Sequence, residues 1–264
     1  MAEKTKAGDS LMETIKTIFW ALIIAGVFRT LFFQPFWIPT GSMKDTLLIG
    51  DFLFVNKMAY GYSRHSCPFS ACPISGRIWA GEPERGDVVV FRHPVTGADF
   101  VKRLIGMPGD TIQVTNGQLT VNGTPYPQQD AGLFTEIKEP QGSQGTEPAC
   151  SNAPVEQGGI CEKQRLIETD LSGRSYATLN VSDFPNRHQD STNVYNVPEG
   201  HYFFMGDNRD NSQDSRVSQQ LMGVGYVPYE NLIGRVDRVM FSSAGRSLFY
   251  FWTWRSDRFF KKVE

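Results

Sequence analysis

Hydrophobic positions in this chain form one long block near the N-terminus and many short runs after it. From Ile15 to Phe33 the chain reads IKTIFWALIIAGVFRTLFF, close to the ~20 residues that a helix needs to cross a hydrocarbon core. Its uninterrupted apolar stretch is Ile18 to Val27. Lys16 and Arg29 stand near its ends, where long side chains reach the headgroups. Trp20 and Trp37 suit the two interfaces. A cleaved signal peptide would need small residues after the block, but the chain continues Gln34-Pro35-Phe36-Trp37. A buried soluble helix would need helical partners, and the later pattern offers none. The block therefore predicts an uncleaved transmembrane anchor over 15–33, preceded by a short cytoplasmic segment, 1–14. Lys4, Lys6 and Lys16 orient it with the N-terminus inside and the rest of the chain outside.

Beyond Pro35 the pattern is that of strands. Asp51–Asn56 and Asp87–Phe91 are short apolar runs entered through Gly-Asp turns, and Phe100–Ile105 leads into the turn Gly106-Met-Pro-Gly-Asp110. Thr111–Val114 and Leu119–Val121 flank Asn116-Gly117, a strong hairpin signal. From Gly123 to Val197 the composition shifts to Gln, Pro, Gly, Ser, Asn and Asp, and strand character returns at Tyr202–Met205 and Gly234–Phe241. The fold class expected is mainly β: an antiparallel core split into 34–122 and 198–246 by a loop-rich inserted lobe, 123–197. The final segment, 247–264, carries Phe249, Tyr250, Phe251, Trp252 and Trp254 among basic residues. It fits either an interfacial segment or a helix packed on the domain.

Composition sharpens this picture. Apolar residues make up 40% and charged residues 20%, enough for a core and against wholesale disorder. A net charge of -2 gives no sign of a nucleic-acid surface. The four cysteines form two close pairs without zinc-site spacing. Disulfides suit an exported domain: Cys150 and Cys161 are expected to be bridged, closing a loop worth about 3 kcal/mol, and Cys67 with Cys72 is left open as a second pair.

Three segments carry chemistry. In Ile38-Pro-Thr-Gly-Ser-Met-Lys-Asp-Thr-Leu47, Pro39 and Gly41 allow Ser42 to be presented from a rigid turn. A serine hydroxyl needs a base to become nucleophilic. The surroundings match neither G-x-S-x-G nor S-x-x-K, and Lys44 is expected to face solvent. Asp99–Ile105 places Lys102 in an apolar strand whose alternation groups Phe100, Lys102 and Leu104, opposite Val101 and Arg103. Burial there disfavours the ammonium form and lowers the pKa toward neutrality, where a free amine can act as a base. The third segment, Met205–Arg216, is dense in polar side chains. Asp210, Ser212 and Asp214 imitate a calcium loop, but Ser215 stands where that loop needs Gly and Leu221 where it needs Glu.

Taken in order, IPTGSMKDTLLIGD, RGDVVVF, FVKRLIGMPGD and GDNRDNSQDSR closely resemble the type I signal peptidase family. The matches cover the anchor-proximal chain and both halves of the split core and leave the inserted lobe largely unmatched. The resemblance implies a membrane-bound serine endopeptidase that removes signal peptides from exported preproteins, cutting after small-x-small sites. It implies Ser42 as nucleophile, Lys102 as base, and an oxyanion hole from the Ser42 N–H and the Thr40 hydroxyl, where many members have Ser. Ser212 would orient the lysine, with Asp214 and Arg216 bracing the site. Asp45 stands where many members have Pro. The substrate groove would draw on Ile38, Pro39, Met43, Leu47, Val90 and Val101, shallow apolar positions that exclude bulk. No metal or cofactor is implied. Partners would be preproteins, membrane lipid and nearby translocation machinery, with no nucleic acid; the place would be the bacterial inner membrane, catalytic domain on the periplasmic side.

Three other classes fit the sequence less well. A self-cleaving repressor-type protease shares the Ser/Lys logic but would carry a DNA-binding region. A Ser/His/Asp hydrolase would need His93 or His201, both in turn-like contexts. A non-enzymatic tethered scaffold leaves Lys102 in an apolar strand without a reason.

Overall fold

A computed structural model describes residues 3–67, 70–142, 145–182, 188–245 and 250–263, without the side chains of 3–10. Ser247 and Phe249 of the C-terminal segment, and the Lys4 and Lys6 side chains, lie outside the described residues. One helix, α1 (Glu3–Leu31), contains an apolar span, Leu11–Leu31, with mean hydropathy 1.7 and none of it buried. It is long and apolar enough to cross a membrane, and it is not buried as a soluble core helix would be. The helix stops two residues before the expected end, because Phe33 opens a strand.

The strands follow in order: β1 (Phe33–Trp37), β2 (Asp51–Asn56), β3 (Tyr62–Ser63), β4 (Arg77–Ile78), β5 (Val88–Arg92) and β6 (Asp99–Gly106). Next come β7 (Thr111–Thr115), β8 (Gln118–Val121), β9 (Thr124–Pro125), β10 (Gln128–Ile137), β11 (Ile160–Thr169) and β12 (Ser175–Asn180). The last are β13 (Tyr195–Asn196), β14 (His201–Met205), β15 (Val227–Pro228) and β16 (Leu232–Ser242). The main sheet runs β1-β2-β16-β5-β6-β14-β15 with antiparallel ladders, so strands from both sides of the insertion interleave. Pro35 fits β1 because that strand lies at the sheet's edge, where a missing N–H costs little. A second sheet, β13-β7-β8-β9, contains the expected hairpin. Asn116 and Gly117 both have positive φ there, at 48° and 77°, the geometry of a two-residue turn between twisted strands.

The inserted stretch is more ordered than its composition suggests. It forms a sheet of its own, β10-β11-β12, with ten-residue strands β10 and β11 and a bulge between Asp130 and Leu133. Most of β10 is exposed, which explains its polar, unalternating sequence. Both cysteine pairs are bridged, Cys67–Cys72 and Cys150–Cys161. The C-terminal segment shows neither α-helix nor strand among its described residues: two short 3-10 turns, Phe251–Thr253 and Ser256–Arg258, leave Phe251 and Trp252 each 69% exposed.

One core cluster lies under the loop between β1 and β2. Ile38, Met43 and Leu47 from the loop pack with Leu53, Val88, Val90, Val236 and Val239 from the sheet, and Val101 leans against them. Each such side chain contributes about 1.5–3 kcal/mol when removed from water. That is enough together to hold the loop onto the face of the sheet.

Candidate active site

The loop after β1 is pinned at its base by two backbone bonds, Ile38 N–H to the Asp51 carbonyl and Gly50 N–H to the Ile38 carbonyl. Its apolar residues enter the core while Ser42, 9% exposed, stays at the rim. Lys102 reaches it from β6, where it pairs with Val89 of β5. The two meet: Lys102 Nζ lies 2.6 Å from Ser42 Oγ and 3.2 Å from the Val101 carbonyl, and the Phe100 ring centroid is 5.4 Å away.

Burial lowers the Lys102 amine to about 8. Asp214 and Asp207 oppose the shift, and Arg216 adds to it. Its hydrogen bonds among the described residues go to a hydroxyl and a carbonyl, so no direct carboxylate contact holds it charged. An amine in this state can accept the proton of the hydroxyl beside it.

The strand differs from the half-buried one expected. Alternation does place Lys102 opposite Arg103, but both are buried: Lys102 against Ser42, and Arg103 among Asp207, Thr46 of the nucleophile loop and Tyr176 of the inserted lobe. Arg103 forks onto Asp207, with Nε to Oδ1 and Nη2 to Oδ2 both 2.8 Å, and lies 4.0 Å over the Tyr176 ring. Thr46 donates to the same carboxylate at 2.6 Å. The sequence reading had no role for Arg103 or Asp207; the available signal was a second cation next to Lys102 in an apolar strand.

The polar turn is braced as a unit. Arg216 forks onto Asp214 at 2.9 and 2.8 Å, and Asp214 also accepts from the Gly206 N–H at 3.0 Å. Burial works against the Asp214 carboxylate, but Arg216 and these hydrogen bonds hold it below its ordinary value. Ser212 is buried against Gly206: a β-carbon on that glycine would overlap both the Ser212 hydroxyl and the Ser42 carbonyl oxygen. The Ser212 carbonyl accepts from Gln189 Nε2 at 2.9 Å, and its hydroxyl lies near enough to Asp214 to favour the ionised carboxylate. Asn208 ties turn to loop, its N–H reaching the Ser42 carbonyl at 3.1 Å and its Nδ2 the Gly41 carbonyl at 2.9 Å.

Among the other expected residues, Thr40 is exposed two positions before Ser42. Ile38, Met43, Leu47 and Val90 share the cluster beneath the loop, Leu47 and Val90 fully enclosed, while Pro39 and Val101 are partly exposed. His93 turns its Nδ1 to the Val95 and Thr96 N–H groups, and His201 turns its own to the Glu199 carbonyl. Lys44, expected to face solvent, does not. It is 4% exposed and bonded to Glu136 at 2.5 Å and Gln141 at 2.7 Å, because the inserted lobe folds over it.

A membrane-length helix leading into an antiparallel β core with an enclosed Ser/Lys contact describes a class of anchored hydrolase. The sequence profile of the family described as "Signal peptidase, peptidase S26" matches residues 11–241. Signal peptidase I of Rickettsia typhi is 36% identical over 91% of this chain and 84% of its own, and that of Rickettsia akari is 38% identical with the same coverage. A solved signal peptidase I from Enterococcus faecalis covers 59% of this chain and 97% of its own, at 23% identity and a TM-score of 0.29; the assignment rests on the sequence matches. The chain belongs to the signal peptidase family, peptidase S26. It is a membrane-anchored serine endopeptidase that removes signal peptides from preproteins.

Proposed function

We propose that Ser42 is the nucleophile and Lys102 the general base of this peptidase. The observation that carries the reading is the 2.6 Å contact between Ser42 Oγ and an amine lowered to about 8 by burial. Lys102 takes the Oγ proton as Ser42 attacks the scissile carbonyl, and the oxyanion is met by the Ser42 N–H and the Thr40 hydroxyl. The ammonium then protonates the leaving amine. An acyl-enzyme on Ser42 is released by water, with Lys102 again as base. Ser212, Asp214 and Arg216 hold the surroundings of the amine in place.

The peptide lies as an added strand beside the Ser42 loop and β6. Ile38, Met43, Pro39 and Val101 form the floor and wall of the groove, with Leu47 and Val90 backing them. Shallow apolar pockets exclude large side chains, which supports cleavage after small-x-small sites such as Ala-x-Ala. The catalytic domain stands on the periplasmic side of the inner membrane, next to bilayer lipid and translocation machinery. Two formed disulfides and the exposed C-terminal aromatics support that placement.

The test is cleavage of an Ala-x-Ala preprotein by full-length enzyme in lipid. Ser42→Ala and Lys102→Ala are each expected to fall to background while keeping the wild-type circular dichroism; full activity in either would sink the dyad.

A further inference from the structure

Lys44 is a second buried lysine two residues from the nucleophile, and the mechanism above does not use it. Its partners come from the inserted lobe. Glu136, near the end of β10, binds Lys44 through Oε2 at 2.5 Å and Lys163 of β11 through Oε1 at 2.6 Å. Gln141 accepts from Lys44 at 2.7 Å and donates to Glu136 at 2.8 Å, closing the cluster. When ionised the trio has one carboxylate for two ammonium groups. Burial works against the Glu136 carboxylate, but the two lysines hold it below its ordinary value.

The Lys44 side chain folds back toward the residue before the nucleophile. A β-carbon on Gly41 would stand 3.2 Å from Lys44 Cε and 3.6 Å from Nζ, and the Lys44 N–H donates to the Gly41 carbonyl at 3.2 Å. Gly41 is the link between Thr40 and Ser42, the two oxyanion donors proposed above. Its carbonyl is also held by Asn208 Nδ2 at 2.9 Å. The Lys44 side chain thus packs against Gly41, whose carbonyl belongs to the peptide unit that carries the Ser42 N–H. A cation there favours negative charge as it develops, and a rigid Gly41 keeps the donors aimed at where that charge appears.

We propose that Lys44, clamped by Glu136 and Gln141, is a positioning residue for the oxyanion hole, so that the inserted lobe takes part in catalysis. The proposal rests on the assignment of Ser42 and Thr40 to their roles. Losing a whole oxyanion donor costs about 10²–10³ in kcat, so loosening both without removing either should cost roughly 10–50-fold.

The experiment uses full-length Lys44→Met and Glu136→Gln enzymes in lipid, with kcat, KM and the pH profile measured on a preprotein. Binding is measured for a peptide aldehyde, whose hemiacetal oxygen enters the hole, and for an uncleavable peptide that leaves the hole empty. The expected result is a kcat loss of roughly 10–50-fold with KM and the titration of the base unchanged. Aldehyde binding should weaken by a similar factor, uncleavable-peptide binding should not, and the double variant should lose no more than Lys44→Met alone. Unchanged kcat, or equal weakening of the two ligands, overturns the proposal. Should Lys44→Met fail to fold, Gln141→Leu removes one partner without unpairing a charge. It should show the same signature at a few-fold, and none at all would overturn the idea. A dead Ser42→Ala beside an undiminished Lys44→Met sinks only this inference, whereas an active Ser42→Ala sinks the dyad beneath it.

Discussion

Lys102 and Lys44 are each 4% exposed, and their surroundings differ. Burial pushes both amines down. At Lys44 the push is opposed by direct contact with Glu136. At Lys102 it is opposed only by Asp214 and Asp207, both engaged with arginines of their own, and the amine settles at about 8. Depth alone therefore does not make a base. What matters is whether a carboxylate touches the amine or is held one contact away.

The widest separation is expected in rate. Lys102→Met should lower single-turnover cleavage by about 10³-fold or more, as loss of a base does, against tens of fold for Lys44→Met; equal losses would erase the distinction.

A second clamp between lobe and core should show in stability. Glu168 of β11 is fully buried and takes a fork from Arg209 at 2.9 and 2.5 Å and a bond from the Tyr176 hydroxyl at 2.9 Å. Glu168→Gln leaves Arg209 buried without its charge partner and should cost about 3 kcal/mol in denaturant unfolding. A loss near zero would mean that the lobe is loosely attached, weakening any role for it at the active site.

The pH profile separates the lysines more finely. The neutral amine is the active form, so kcat/KM should rise as pH rises through about 8 and level off above it. Asp214 raises the lysine's value and Arg216 lowers it. Asp214→Asn removes the first and frees the second, so the midpoint should move to lower pH. A midpoint unmoved by Asp214→Asn, or moved by Lys44→Met, would mean that the two sites are coupled differently.

The smallest effect is expected at the histidines. A general base contributes about 10²–10⁴, so a change below about twofold in a His93→Gln, His201→Gln double variant removes both as candidates, and a large loss restores them.

Much of this was legible along the chain. The strands at Asp51, Val88, Asp99, Thr111, His201 and Leu232 form within a few residues of where the short apolar runs placed them. The reason is that a strand buried on one or both faces must be written in apolar residues. Strand β10 was not legible as a strand, because it buries little and Gly132 interrupts it at a bulge. Phe33 looked like the end of the anchor, since an edge strand of aromatic residues is as apolar as a helix in lipid. The disulfide at Cys67–Cys72 was open because spacing does not fix connectivity.

Local pattern and motif order determined by themselves that the chain has an anchor, an antiparallel β core, a serine on a rigid turn and a lysine in an apolar strand. Those properties depend on neighbours in sequence, through periodicity and turn chemistry. Only the tertiary structure decided how the two lysines near Ser42 differ. Lys44 meets Glu136 across 92 positions, Arg103 meets Asp207 across 104, and Lys102 meets Ser42 across 60. The charge state of a buried group is set by what folds against it, and residues that far apart along the chain carry no local sign of their partner.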